Sequence, residues 1–194
     1  MSSIDHTQIQ EAHERFWSWI FSTDDGRNHP LKVSDGGEAQ EHIGNMLILA
    51  GSLQGRGKKD RSLRIPPGIE SVFVLSDNVL CTEADGDGTN DQDLIEKADE
   101  DISEGSGKVG VKLSGKSQRV DLLKPHLFTL DIRKIIDGTG NNRKGEGTLQ
   151  NGNPPGQTRA AAACYYVIIP ANDLKAGDTI EISGRDINVI YTVK

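Results

Sequence analysis

Between Asp85 and Glu96, oxygen-bearing side chains recur at the spacing of a calcium loop. A loop of the EF-hand kind takes oxygens from positions 1, 3, 5, 9 and 12 and a main-chain carbonyl from position 7. Counted from Asp85, the side-chain places are filled by Asp85, Asp87, Thr89, Asp93 and Glu96, with Asp91 at the seventh. Gly88 stands fourth, and Asn90 in the sixth place tolerates the left-handed turn that glycine usually supplies. Two features depart from the pattern. Gln92 stands eighth, where an apolar residue normally packs, and the preceding SVFVLSDNVL reads as a strand rather than a helix. The expected chemistry is therefore an isolated strand–loop–helix site with calcium as its cofactor. The same residues also read as a solvated acidic surface. Asp91 and Asp93 lie near the start of a helix, where carboxylates favour the positive end of the dipole, and Asp85 to Gly88 is ordinary turn chemistry. Both readings stay open on the sequence.

Catalytic signatures are missing elsewhere. GSLQGRGKK is not a phosphate loop, because Ser52 stands where the first glycine belongs and Lys59 follows the lysine. There is no G-x-S-x-G elbow, H-E-x-x-H pair or dinucleotide fingerprint. The histidines at 6, 13, 29, 42 and 126 show no zinc spacing. Cys81 and Cys164 border apolar segments, so two buried free thiols are expected rather than a bridge. Paired carboxylates leave no mark in a sequence, so a hydrolase acting on carbohydrate, with a carboxylate site among the loops, stays open as the alternative function.

The net charge of −7 is concentrated in one place. Residues 83–104 carry ten acids against Lys97, and the rest of the chain is slightly basic. With a pI near 5.2 the chain is a poor nonspecific binder of phosphate backbones, and no nucleic-acid partner is expected. The exception is GRGKKDRSLR, Gly55 to Arg64, read as a solvated loop or an anion contact. No apolar run, Met46 to Ala50 included, is long enough to cross a bilayer. No leader opens the chain, so the expectation is a protein inside a cell or virion, or a secreted one whose leader has been removed.

The elements that must position these residues follow from periodicity. TQIQEAHERFWSWIF offers Thr7 as N-cap with Gln10 three residues on, then Ile9, Ala12, Phe16 and Ile20 on one face, predicting a helix over about 8–21. NMLILAGSL, RSLRI and ESVFVLSDNVLC read as strands, with Pro66-Pro67-Gly68 as a turn. DQDLIEKADEDI places Leu94, Ile95, Ala98 and Ile102 on one face of a short acidic helix. KVGVKLSG and QRVDLL are expected to form a hairpin about Ser114-Gly115, and HLFTLDIRKII a separate strand. Residues 137–159 are rich in Gly and Asn and almost free of apolar groups, the pattern of a long loop ordered through another chain. AAAACYYVIIP and two alternating C-terminal segments joined at Ser183-Gly184 complete the set. The fold class expected is mainly β, a single domain over 1–194 built as a β-sandwich or jelly-roll-like fold with an N-terminal helix and a short inserted acidic helix.

The order of the segments FWSWIFS, HPL, NMLILAGSL, RSLRIPPGIESVFVLSDNVLC and YYVIIPANDLKAGDTIEISG resembles a group of uncharacterised, often secreted prokaryotic β-rich proteins with a Trp-rich N-terminal helix. The resemblance implies a β-rich fold and no particular activity. This chain departs from the group in lacking a leader and additional cysteines. The function expected is a noncatalytic structural or binding module that self-assembles as a homo-oligomer or binds a protein partner, with calcium stiffening one loop.

Overall fold

The computed structural model describes residues 4–23, 29–31, 39–51, 59–105, 109–132, 156–184 and 188–194. In chain order the elements are α1 (His6–Ser22), β1 (Gln40–Ile43), β2 (Met46–Leu49), β3 (Lys59–Leu63), β4 (Ser71–Thr82), α2 (Asp91–Gly105), β5 (Gly110–Leu113), β6 (Lys116–Ser117), β7 (Asp121–Ile132), β8 (Gly156–Pro170), one 3-10 turn (Ala171–Asp173), β9 (Thr179–Ser183) and β10 (Asn188–Val193). The protein is mainly β, with two five-stranded sheets. One has the order β1-β2-β4-β8-β7 and the other β3-β10-β9-β5-β6. Both are mixed, since β2–β4 and β3–β10 are parallel pairs and the rest are antiparallel.

Strand register shows what covers the first sheet. Directly paired residues point to the same face, so Ser71, Phe73 and Leu75 of β4 share a face with Pro170, Ile168 and Tyr166 of β8. On β7 that face carries His126 and Phe128, paired with Ala162 and Ala160. Helix α1 lies over it, because His13 of α1 meets the ring of His126 and the helix packs on β1, β2 and β7. The opposite face is shared by two coverings. Val72, Val74, Val167 and Ile169 join the core with Val111, Ile180, Ile182 and Val189 of the second sheet, giving a sandwich-like layer. Farther along, Cys81 and Ala161 pack against Leu94 and Ala98 of α2. The run Ala160 to Ala163 is fully buried, and its small side chains let α2 come close to the sheet on one side while the α1 layer closes the other.

Helix α1 starts two residues earlier than its periodicity suggests. Its N-cap is Asp5, not Thr7: the Asp5 carboxylate accepts from the Gln8 N–H at 2.9 Å, and the Asp5 N–H donates to the Gln8 side chain at 3.0 Å. The carboxylate at Asp5 out-competes the threonine because it also favours the helix dipole. Ile9, Ala12, Phe16 and Ile20 are buried as expected, and the two tryptophans are partly buried against the core.

Two further expectations change. The hairpin about Ser114-Gly115 is real but small, joining β5 to the two-residue β6. QRVDLL does not belong to it, because Asp121 to Ile132 is one strand of the other sheet. Pro125, which reads as a break, sits at a register shift between Leu123 and His126 on an edge strand, a place where a missing N–H is tolerated. Gly156 to Arg159 form the start of β8 rather than the end of a loop, and residues 137–155 lie outside the described residues.

Candidate functional site

The acidic stretch is stitched together by an arginine from β8. The Arg159 guanidinium donates to both Glu83 carboxylate oxygens (3.0 and 2.9 Å), to Asp91 (3.1 Å) and to the Thr89 carbonyl (2.9 Å). This fork lowers the Glu83 carboxyl below its ordinary range, through the hydrogen bonds first and the guanidinium charge second. Arg159 reaches the loop because odd-numbered residues at this end of β8 point toward the face that α2 covers.

The six residues expected to bind calcium are hydrogen-bonded to neighbouring groups of the chain. Asp85 accepts from the Thr82 hydroxyl at 3.0 Å, and Asp87 from the Thr82 N–H at 2.9 Å. Asp87 is partly buried, and that burial raises its carboxyl despite the Thr82 bond. Asp93 closes the start of α2. Its carboxylate takes the Thr89 N–H and hydroxyl, each at 3.0 Å, and the Asn90 amide at 2.8 Å, which together hold its pKa down. Asn90 in turn accepts from the N–H groups of Gln92 and Asp93. Asp91 faces Arg159, Glu96 takes the Gln92 amide at 2.6 Å, and Thr89 serves Asp93. Among the described residues no group of three or more His, Cys, Asp or Glu side chains is arranged to hold a metal ion.

The basic stretch Gly55 to Arg64 does not form one loop. Lys59 to Leu63 is strand β3, and Arg61 is buried between the sheets. Its Nη1 donates to the carbonyls of Ala50 (2.9 Å) and Gly51 (2.7 Å) and to the Tyr191 hydroxyl (3.1 Å). The Tyr191 hydroxyl lies 2.8 Å from the Ala39 carbonyl and 2.6 Å from that of Ala50. The alternation of β3 turns this arginine inward beside Leu63, so it ties the two sheets together; residues 52–58 lie outside the described residues.

Both thiols are buried and free, and burial raises both, Cys81 up to about 12 and Cys164 well above its ordinary value. Neither is a nucleophile at neutral pH.

A half-open cavity of about 400 Å³ lies where the N-terminus of α1 meets the starts of β2, β4 and β7 and the end of β8. Its apolar wall includes Ile9 and Met46, and its polar groups include Asn45, Glu70, Arg119, Asp121 and Tyr166. Arg119 holds Asp121 at 3.2 Å, and burial together with the Asp121 charge raises the Tyr166 hydroxyl. No sequence signal marks this place, because its residues come from five segments and are common types.

The outer edge of the first sheet is the remaining feature. Among the described residues β7 pairs only with β8, and the two large hydrophobic side chains exposed there, Leu122 and Leu127, both belong to it. Register places them on one face, opposite Tyr165 and Ala161. Among the described residues no helix is long and apolar enough to cross a membrane. The chain matches no family model, no curated protein and no solved structure.

Proposed function

We propose that this chain is a noncatalytic β module that assembles with a second copy of itself through β7. The observation that carries the reading is the coincidence of a twelve-residue edge strand with the two exposed leucines. An edge offers N–H and C=O groups to another strand, and on β7 charge and proline interrupt it at Lys124-Pro125 and near its ends at Asp121 and Asp131, leaving the leucine-bearing stretches between them. Two β7 strands meeting antiparallel about Pro125 would set Leu122 of one copy near Leu127 of the other, the self-complementary contact of a two-fold dimer. Pro125 and the bulge beside it divide the ladder, which limits pairing to this register.

The expected result is a concentration-dependent dimer in sedimentation equilibrium. Leu122→Lys with Leu127→Lys should weaken it by at least about tenfold, because like charges would then face one another across the seam. A wild-type chain that stays monomeric at high concentration, or a doubly substituted chain that associates equally well, would overturn the reading.

The acidic loop enters this proposal as a stiffened surface whose ordering cation is Arg159. Its guanidinium bonds both carboxylate oxygens of Glu83, one of Asp91 and the Thr89 carbonyl, so a fixed positive charge already lies beside the stretch read as a calcium loop. Calcium at millimolar concentration should then leave the thermal midpoint of the wild type nearly unchanged. Arg159→Gln should loosen the loop and make it respond, because carboxylates crowded without a counterion take up a cation more readily. Scanning calorimetry with calcium and with magnesium checks this. A wild-type shift with calcium alone, abolished by Asp85→Ala with Asp87→Ala, would restore calcium as the loop's cofactor.

The cavity favours a second reading, a hydrolase acting on carbohydrate, because two carboxylates, Glu70 and Asp121, share it with an aromatic hydroxyl. Sugar release from a polysaccharide that vanishes in both Glu70→Gln and Asp121→Asn would establish it.

A further inference from the structure

The face of the sheet beneath α1 contains a pair of buried histidines that no packing requirement explains. His13 is fully buried and His126 is 7% exposed, and their ring centroids lie 5.3 Å apart. A core histidine ordinarily has both ring nitrogens bonded. Here the Nδ1 of His13 and both nitrogens of His126 lack a partner at good geometry. The backbone of Lys124 and Ala162 lies beside His126 and favours its charged form only weakly against burial.

The remaining nitrogen sets the protonation state. Trp17 donates its indole N–H to the Nε2 of His13 at 3.1 Å. An indole can only donate, so this Nε2 carries no proton and the neutral ring holds its proton on Nδ1. A second proton must go to Nε2, where it would displace the Trp17 bond and place a cation against His126 in a buried site. We propose that the contact between His13 and His126 makes the docking of α1 acid-sensitive, so that protonation of the two rings releases the helix from the sheet.

Apart from the Lys124 and Ala162 backbone beside His126, the surroundings oppose protonation. On His13 the acting influences are burial first and the His126 charge second, and both oppose protonation. On His126 burial leads, and the charge of His6, also on α1, opposes it further. From β8 the same face presents Ala160, Ala162 and the thiol of Cys164, which burial keeps neutral. On α1 the neighbouring Glu14 is itself raised by burial and by Glu11, and no carboxylate acts on either histidine ring. The sign follows. Both rings are held below the ordinary value of 6.5 while α1 is docked, so docking is at full strength above that pH. It weakens as pH falls below 6.5, and the loss is complete once pH has passed beneath the docked values. Each ring contributes up to about tenfold per pH unit, so the pair changes the docked-to-released ratio by up to about a hundredfold per pH unit.

This inference goes beyond assembly and does not depend on it. It also has a built-in reporter, since both tryptophans of the chain lie on α1. We expect the tryptophan emission to shift red between about pH 7 and pH 5, the range of histidine titration, while the far-UV signal of the sheets persists. His13→Gln and His126→Gln should each flatten the profile to about tenfold or less per pH unit, the dependence left to a single ring. Where one variant fails to fold, the other and the wild-type profile decide. Emission that stays constant to pH 5 would overturn the inference. So would a response undiminished in the folded variants, or loss of the sheet signal at the same midpoint as the tryptophan signal.

Discussion

Gly184→Ala is expected to destabilise the fold by at least about 3 kcal/mol, the upper end of the usual cost of overpacking. A Cβ at this position would lie 1.9 Å from the Ser76 carbonyl oxygen and 3.0 Å from its carbonyl carbon. Ser76 sits at the register shift of β4, between Leu75 and Asp77, and Gly184 follows directly on β9. The contact is therefore backbone of one sheet against backbone of the other, with no flexible side chain that could turn aside. The methyl group must push the sheets apart where Ser76 is buried and Gly184 is half-buried. Urea denaturation should show a lower midpoint with an unchanged slope, the signature of lost stability without a change in exposed surface. A loss below about 1 kcal/mol would mean that the bulge relaxes at little cost and that this approach does not hold the sheets in place.

Phe16→Ala is expected to cost about 4 kcal/mol, within the range for truncating a buried aromatic. Phe16 is 1% exposed and is the central residue of the α1 stripe that covers the first sheet. Its ring meets Trp17 at 5.1 Å and Trp19 at 6.4 Å, both edge-on, so the substitution removes aromatic contacts as well as buried area. The near-UV circular dichroism of the tryptophans should fall together with the denaturation midpoint. A stability change below about 1 kcal/mol would show that α1 contributes little to the folded core, since only surface positions are so tolerant. The result also bears on the acid response. A helix held mainly by Phe16 needs both histidines charged before it leaves, and a weakly held helix would leave at a higher pH.

The elements of this protein were legible wherever a local pattern specified them. The α1 stripe of Ile9, Ala12, Phe16 and Ile20, the α2 stripe of Leu94, Ile95, Ala98 and Ile102, and the apolar runs of β2, β4 and β8 all follow from side-chain spacing, and most of these residues are buried. Alternation and helical period depend on neighbours within a turn or two, so they survive whatever the rest of the chain does. The two thiols were readable for the same reason, as small apolar groups at the ends of apolar strands.

Tertiary structure decided the rest. Pro125 reads as a break, yet β7 continues through it because the strand lies at a sheet edge and a bulge absorbs the missing donor. Arg61 reads as one cation among several on a polar loop, yet the alternation of β3 turns it inward to the carbonyls of Ala50 and Gly51. The carboxylates from Asp85 to Glu96 are spaced for a shared ion, but spacing along the chain does not set where side chains point. In the fold, Arg159 of β8 bonds Asp91 and the start of α2 is capped through Asp93 and Asn90. His13 and His126 carry no mutual signal either, since a helix and a distant strand bring them together only once register is set. What the sequence by itself determined is which segments become helix and strand and which of their faces are apolar. Which polar groups meet was settled by the pairing of strands far apart in the chain, because a shift of one residue in register would send every one of those side chains to the opposite face.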